Sequence, residues 1–517
     1  MEISLAKIAI SIVVITILRL GWKILNWVWL RPKRLERFLR DQGLQANSYK
    51  LLFGDLKLFS QMTEQAKSKP MNAAGDILTR ILPFHYQIVK NYGKNSFMWF
   101  GPTPMVIIMN PEEIRDIFTK ISDFQKPVRS PCAKFLITGL VQHEGEKWAK
   151  HRKIINPAFR LEKLKQMLPA FYQCCNQMID EWKTMVSKEG SCELDVWPYL
   201  FNMSGDVISR TAFGSSFEEG RKILKLQNEQ AEYTIKLLFS VYIPGWRFLP
   251  TKMNKRMKQI EIEVQVLLKG VINKREKAMK AGEDTKDDLL GLLMESNYRE
   301  IQEHGNNQKV GMSVEEIIEE CKLFYFAGKE TTAALLVWTM ILLSMHQKWQ
   351  EKAREEVLQV FGLNKPDYDG LNRLKIVTMI LYEVLRLYPP GYMVDRVVLE
   401  ETKLGNLVLP AGSMVCLPII LLHHDQELWG EDSMEFKPER FSEGVSKATK
   451  GQVSFFPFGG GPRICIGQNF SLMESKMALT LMLQQFSFQL SPSYAHAPLA
   501  IITIQPQFGA HVMLKKL

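Results

Sequence analysis

The chain has 517 residues, 46% hydrophobic and 23% charged, with a formal net charge of +11 and seven cysteines. No linker, low-complexity run or internal repeat follows the first fifty residues, so one large body is a simpler reading than a string of domains. The cysteines (132, 174, 175, 192, 321, 416 and 465) show no C-x-x-C spacing and no even set, which argues against a zinc module and a disulfide framework and for a reducing compartment.

Residues 1–50 hold nine Lys/Arg against three Asp/Glu. Such a cluster can serve nucleic acid, but this one follows an apolar segment, and no nucleic-acid partner is expected. From Leu5 to Leu30 there is length to cross a hydrocarbon core of about 30 Å. Arg19 and Lys23 must snorkel, and Trp22, Trp27 and Trp29 suit the headgroup belt. Arg31, Lys33, Arg34, Arg37 and Arg40 then mark the cytosolic side, and no small-residue cleavage site follows. The expected organisation is a membrane anchor over 1–30, a basic, proline-bearing hinge over 31–50 and a catalytic domain over 51–517. Pro32 should fix the exit from the anchor, and Pro32-Lys-Arg-Leu-Glu36 should begin a charged amphipathic helix.

Further along, 96–110 reads as a short β-hairpin. Helical periodicity dominates from about 112 to 388, and the polar runs 274–286 and 297–308 read as surface connections. Strand signals return in 394–418 and 485–515. The fold class is mainly α with small β regions.

Four segments carry chemistry. Trp148 and Arg152 stand four apart on a basic helix, Glu146 to Lys153, which could be a solvated face or a docking face for an acidic electron donor. Ser313-Val-Glu-Glu316 is a capping box opening a long apolar helix. Inside it lies Ala327-Gly-Lys-Glu-Thr-Thr332, where a mid-helix glycine costs about 1 kcal/mol against alanine and so needs a reason. Ala327 and Gly328 would leave room for a ligand on the helix face. The Thr331 hydroxyl can bond back to the carbonyl of Ala327 and, with Glu330, form a proton-delivery device. Glu383 and Arg386 are helix neighbours at i, i+3 before Pro389-Pro390. Last comes Phe458-Gly-Gly-Gly-Pro-Arg-Ile-Cys-Ile-Gly467, a tight loop feeding a helix N-terminus. Unpaired N–H groups and the positive dipole end should favour thiolate at Cys465, which suits a haem iron. A buried cysteine in a glycine-rich turn is the bland alternative.

Phe458, Gly461, Arg463, Cys465 and Gly467 resemble the haem-thiolate signature of the cytochrome P-450 superfamily. Ala327 to Thr332 resembles its oxygen-activation sequence. Asn26-Trp-Val-Trp-Leu-Arg-Pro-Lys-Arg, Gln42-Gly-Leu, Asn47-Ser-Tyr, Gly54-Asp and the tail Tyr494-Ala-His-Ala-Pro with Gln505-Pro-Gln-Phe-Gly-Ala-His are similar to the plant secologanin synthase-like group, plant clan seventy-two. The resemblance covers essentially the whole chain and implies the P-450 fold preceded by a single transmembrane helix.

It also implies haem b (iron protoporphyrin IX) with Cys465 as axial ligand, and Thr331 and Glu330 as the catalytic pair. Trp148, Arg152, Ala327, Gly328, Arg396, Phe458, Gly461, Arg463 and Gly467 become cofactor contacts, with Arg152, Arg463 and Arg396 as propionate ligands. Arg440, in Pro438-Glu-Arg-Phe441, should join the structural pair of Glu383 and Arg386. Lys329 and Gly460 depart from the usual neutral Gln and bulky Trp of this group, and Gly391 to Asp395 departs from its usual apolar sequence.

No flavin or nicotinamide fingerprint occurs, because Gly459 to Gly461 follows no strand of a βαβ unit. Electrons would therefore come from a membrane-bound, NADPH-dependent flavoprotein reductase. The implied reaction inserts one atom of O2 into a C–H bond of an apolar metabolite, a terpenoid (triterpenoid or iridoid), at the endoplasmic reticulum membrane with the body in the cytosol. Candidate pocket segments are the loop before Trp148, Phe324 to Thr331, Gly391 to Val394 and Ile501 to Ile504. The rivals are a haem-thiolate isomerase or dehydratase acting on peroxides without a reductase, and a non-catalytic haem protein. The first tends to lack the acid–alcohol pair, and the second needs none.

Overall fold

The computed structural model describes residues 2–73, 75–127, 138–186, 190–214, 217–238, 249–282 and 288–517. Cys132 and the end of the polar run at 283–286 lie outside them. The chain divides into two compact units, one of Met1–Lys69, Asp76–Pro127 and Met393–Leu421, the other of Pro70–Gly75, Val128–Tyr392 and Leu422–Leu517.

The first unit begins with the 24-residue helix Glu2–Leu25, about 36 Å long at 1.5 Å per residue. Lys7–Asp41 is long and apolar enough to cross a membrane, and none of its apolar window is buried. The charged amphipathic helix expected from Pro32 is present and continuous with the apolar one. A π-helical turn, Asn26–Leu30, leads directly into the helix Arg31–Asp41. Pro32 sits in its first turn, where a missing N–H leaves no helical bond unmade. Behind that helix Tyr49 donates to the Val28 carbonyl at 2.6 Å, and Arg31 donates to the Ala411 carbonyl at 3.0 Å.

These bonds tie the end of the apolar helix to a five-stranded sheet in the order Ser96–Phe100, Thr103–Ile107, Met414–Leu417, Val394–Val398, Phe124–Gln125. The expected hairpin is its first pair, with Trp99 opposite Pro104. The Thr103–Ile107 and Met414–Leu417 strands run parallel and the other pairs antiparallel. Gly54 packs so closely on this sheet that a Cβ there would sit 2.5 Å from that of Trp99. Only glycine fits.

The second unit is built around the helix Val314–Met345, opened by the expected capping box: Glu316 N donates to Ser313 Oγ at 3.2 Å, and Ser313 N to Glu316 Oε2 at 3.1 Å. Around it lie the helices Leu161–Val186, Trp197–Phe213, Lys375–Leu387 and Gln468–Gln485. A three-stranded antiparallel sheet, Ser191–Asp195, His511–Lys516, Phe486–Leu490, completes the unit. Ser191–Asp195 interrupts the stretch expected to be helical. It is short and polar, and its strand form comes from pairing with the chain end. The polar runs are helical as far as Lys280 and Glu303, so those ends are exposed helix and not connections.

Candidate active site

The loop before the helix Gln468–Gln485 is closed by its own backbone. Cys465 N donates to the Phe458 carbonyl at 2.9 Å, and Ile464 N to the Gly461 carbonyl at 3.1 Å. Gly459 and Gly461 take φ of +74° and +62°, the left-handed region that glycine enters without strain. Gly467 caps the helix, and a Cβ on it would touch Cys465 Sγ at 3.9 Å. Cys465 is the one exposed thiol among the described cysteines; Cys174, Cys175, Cys321 and Cys416 are buried. Neighbouring protein atoms push the thiol up, while the Gly467 N–H and the Arg152 guanidinium pull it down.

Arg152 donates to the Ile464 carbonyl at 3.0 Å, one residue from that sulfur. Arg463 lies with its guanidinium carbon 4.6 Å from the centroid of the Trp148 ring. It donates to the His143 carbonyl at 3.0 Å and pairs with Glu144. Arg463 thus already holds a carboxylate from its own chain, whereas the remaining donors of Arg152 are uncommitted among the described residues. The lysines of the Trp148 helix are committed too. Lys147 and Lys150 reach Glu316 at 2.9 and 3.4 Å, and Lys153 reaches Glu300 at 2.6 Å. They pair with acids of their own unit and do not form the free basic face that charge alone allows. Arg396 belongs to the first unit, buried on the strand Val394–Val398, where its Nη1 donates to the Asp395 carbonyl at 2.8 Å.

The helix Val314–Met345 is buried from Ile317 to Ser344 except at Glu319, Phe326, Ala327, Gly328 and Thr331. Ala327 is the exposed point of that opening. Thr331 Oγ1 donates to the Ala327 carbonyl at 2.8 Å, the expected back-bond. Gly328 has a different reason from the expected one: a Cβ there would stand 3.0 Å from Ile208 Cδ1. It permits close packing on the helix Trp197–Phe213, and the room for a flat ligand is at Ala327. Thr332 Oγ1 donates to Ser471 Oγ at 2.9 Å. This ties the Thr331 helix to the helix that follows Cys465.

The neighbours of Thr331 turn away from it. Glu330 is buried; its carboxylate accepts from Thr503 Oγ1 at 3.1 Å and from Gln505 Nε2. Burial pushes its carboxyl up against the pull of these donors and of Lys329. Lys329 is buried on the opposite side, 3.1 Å from Asn228 Oδ1 and 3.6 Å above the Phe201 ring. Burial lowers its ammonium to about 8. The departure at Lys329 is therefore absorbed by packing, away from the Ala327–Thr331 face.

Glu383 lies between two arginines as expected. Arg386 donates to both its oxygens at 2.8 Å, Arg440 Nε lies 3.4 Å away, and Lys437 N donates at 2.9 Å. In the proposed pocket segments, Phe324 packs edge-on against Phe159 at 5.5 Å, and Tyr392 donates to the Ile501 carbonyl at 3.3 Å. Glu144 and Ser471 carried no sequence signal, and Thr503 and Gln505 were named only within a pocket segment and a tail motif, without a partner. Each lies 139 to 319 residues from its partner.

These residues fit a flat, apolar macrocycle bearing carboxylates. One exposed thiol lies in a glycine loop, an arginine with spare donors stands beside it, and an otherwise buried helix opens at an alanine. Comparison with known proteins agrees. The cytochrome P450 family model matches residues 79–502. The chain is similar to cytochrome P450 CYP72A219 of Panax ginseng, 61% identical over all of both chains. It is 60% identical to cytochrome P450 72A397 of Kalopanax septemlobus, over 96% of this chain and 95% of that one. Cytochrome P450 72A15 of Arabidopsis thaliana is 56% identical over all of both. Among solved structures, retinoic acid-bound cyanobacterial CYP120A1 superposes with a TM-score of 0.73 at 24% identity, covering 84% of this chain and 94% of that one, a likeness of fold.

Proposed function

Because the chain belongs to the cytochrome P450 family, in its plant CYP72 clan, and is thereby a haem-thiolate monooxygenase, we propose that it oxidises a C–H bond of a terpenoid, triterpenoid or iridoid, with electrons from NADPH through a flavoprotein reductase. Haem bound through a cysteine thiolate supplies the activation of O2, the sulfur pushing electron density toward O–O cleavage. Cys465 is the thiolate ligand in this reading. Phe458, Gly461 and Gly467 shape its loop, and Arg152, with Trp148 and Arg463 packed beside it, holds the propionates.

The observation that carries the reading is the opening of a buried helix at Ala327, with the Thr331 hydroxyl beside it. With its hydrogen on the Ala327 carbonyl, the Thr331 oxygen keeps lone pairs to accept from a water and orient it. Glu330 supplies protons after releasing Gln505 and Thr503. Residues 1–30 anchor the chain in the endoplasmic reticulum membrane as a single span, with 51–517 as the catalytic body on the cytosolic side. The basic residues after the anchor and its exposed apolar surface support this. The affinity for terpenoids rests on the clan, whose secologanin synthase-like members act on such skeletons.

The test is microsomes from yeast expressing this chain with a plant reductase, fed a terpenoid panel. Expected are a red-shifted Soret band for the reduced carbon monoxide adduct, lost in Cys465→Ser, and NADPH-dependent hydroxylated product. Thr331→Ala should keep the band while diverting electrons to peroxide. A normal band in Cys465→Ser overturns the ligand assignment. Absence of product and of substrate-induced spectral change across the panel overturns the terpenoid assignment.

A further inference from the structure

On the far side of the helix Gly145–Ile155 from the solvent, three side chains with no part in the chemistry above converge. We propose that His143, His151 and Glu320 bind a zinc ion that clasps the segment before this helix to the helix Val314–Met345. One ligand atom from each lies within 4.8 Å of the others. The two imidazole rings stand 4.4 Å apart, edge to face. Glu320 and His151 are fully buried, and His143 is half-buried.

The site is built by close approach. Glu320 Oε2 accepts from Leu140 N at 3.0 Å. A Cβ on Gly139, whose φ is +70°, would stand 2.7 Å from the same oxygen, so only glycine brings the backbone this near. Glu320 Oε1 meets His151 Nδ1 at 2.6 Å. Nε2 of both histidines has no hydrogen-bond partner among the described residues. Carboxylate oxygens stand off at 3.9 Å (Glu320) from His143 and 3.5 Å (Glu316) from His151.

The donor set favours a divalent cation over a plain hydrogen-bonded cluster. His143 Nε2 is buried without a hydrogen-bond partner among the described residues, and Glu320 Oε1 faces both it and His151 Nδ1. Two histidines and one glutamate suit zinc and leave a fourth position open at the half-buried side. Tetrahedral zinc with bonds of about 2.0–2.1 Å sets ligand atoms roughly 3.3 Å apart. Reaching that spacing opens the His151 Nδ1–Glu320 contact from 2.6 Å by about 0.7 Å and closes the His143 Nε2–Glu320 one from 3.9 Å by about 0.6 Å. The carbonyl of His143 and the carboxylate of Glu144 hold Arg463, so the ion would stiffen the support of the cysteine loop.

The test uses the full-length, untagged, haem-loaded chain in detergent. It is equilibrated with micromolar zinc, dialysed against metal-free buffer, and assayed for zinc and iron by mass spectrometry. Expected is one zinc per chain beyond iron, with X-ray absorption giving nitrogen and oxygen neighbours at about 2.0–2.1 Å and no sulfur. His143→Ala and Glu320→Gln should each weaken zinc binding at least tenfold. If Glu320→Gln does not fold, His143→Ala at its half-buried position carries the test, with iron content and the carbon monoxide band unchanged. Absence of retained zinc overturns the proposal, the cluster then being a plain His151–Glu320 hydrogen bond. Equal retention in His143→Ala, or a sulfur neighbour, also overturns it.

Discussion

Removing the carboxylate of Glu383 tests a buried ion pair that His423, bonded to the Arg386 carbonyl and to Phe456 N, joins to the chain leading into the cysteine loop. Both its oxygens take bonds from Arg386, which is itself fully buried, and a third bond comes from Lys437 N. In Glu383→Ala the Arg386 charge stays buried without its counter-ion, at a cost of about 3–5 kcal/mol. The orphaned Lys437 N–H adds about 1 kcal/mol. The total, about 4–6 kcal/mol, is a large part of the roughly 5–15 kcal/mol by which folded chains are stable. With a urea slope of about 3 kcal/mol/M, the midpoint should fall by roughly 1.5–2 M. Urea titration of the purified holoprotein, followed by far-UV circular dichroism and by the Soret band, reads both the fold and the loop. Replacing a buried pair by apolar groups is often neutral, but Glu383→Leu with Arg386→Met should not recover the parent midpoint here. Arg386 also donates to the His423, Ser433 and Glu435 carbonyls at 2.7, 2.6 and 3.1 Å, and methionine leaves all three unmet. A midpoint within about 1 kcal/mol of the parent for the alanine variant, or full recovery in the double variant, refutes this account.

A pH effect follows from Glu474, fully buried, whose carboxyl burial raises to about 8 against a slight pull from Ser204. With the folded value above the unfolded one, its contribution is fully present below about pH 4.5 and is lost as pH rises to 8. Glu474→Gln should remove that slope and stabilise the chain by about 3 kcal/mol at pH 7; parallel stability curves for parent and variant between pH 5 and 8 would sink the assignment. Thr332→Val deletes the bond to Ser471, and denaturant melts should show a loss of about 1–2 kcal/mol. Deleting residues 2–30 should move the chain from the membrane pellet to the high-salt supernatant with its carbon monoxide band intact, and persistent pelleting at high salt would count against this segment as the anchor.

Patterns local to the sequence were legible because their physics is local. An uncharged run in Ile8–Leu18 can only be solvated by lipid or by a core. Ser313 and Glu316 cap whatever helix follows them, and a threonine four residues after Ala327 reaches its carbonyl on any α-helix. Glycines beside Cys465 take left-handed backbone because other residues resist it. These features sufficed for the helix-rich class, the anchor, the cysteine loop and the threonine face.

Partners distant in sequence came only from the fold. Glu330 is turned to Thr503 and Gln505, Arg463 to Glu144, and Gly328 to Ile208. The lysines around Arg152 read as a free basic face, yet they are paired with Glu316 and Glu300 across the second unit. The residue types and spacings determined which chemistry is present in this protein. Which groups are free to perform it was decided by burial and pairing, which exist only once the chain is folded.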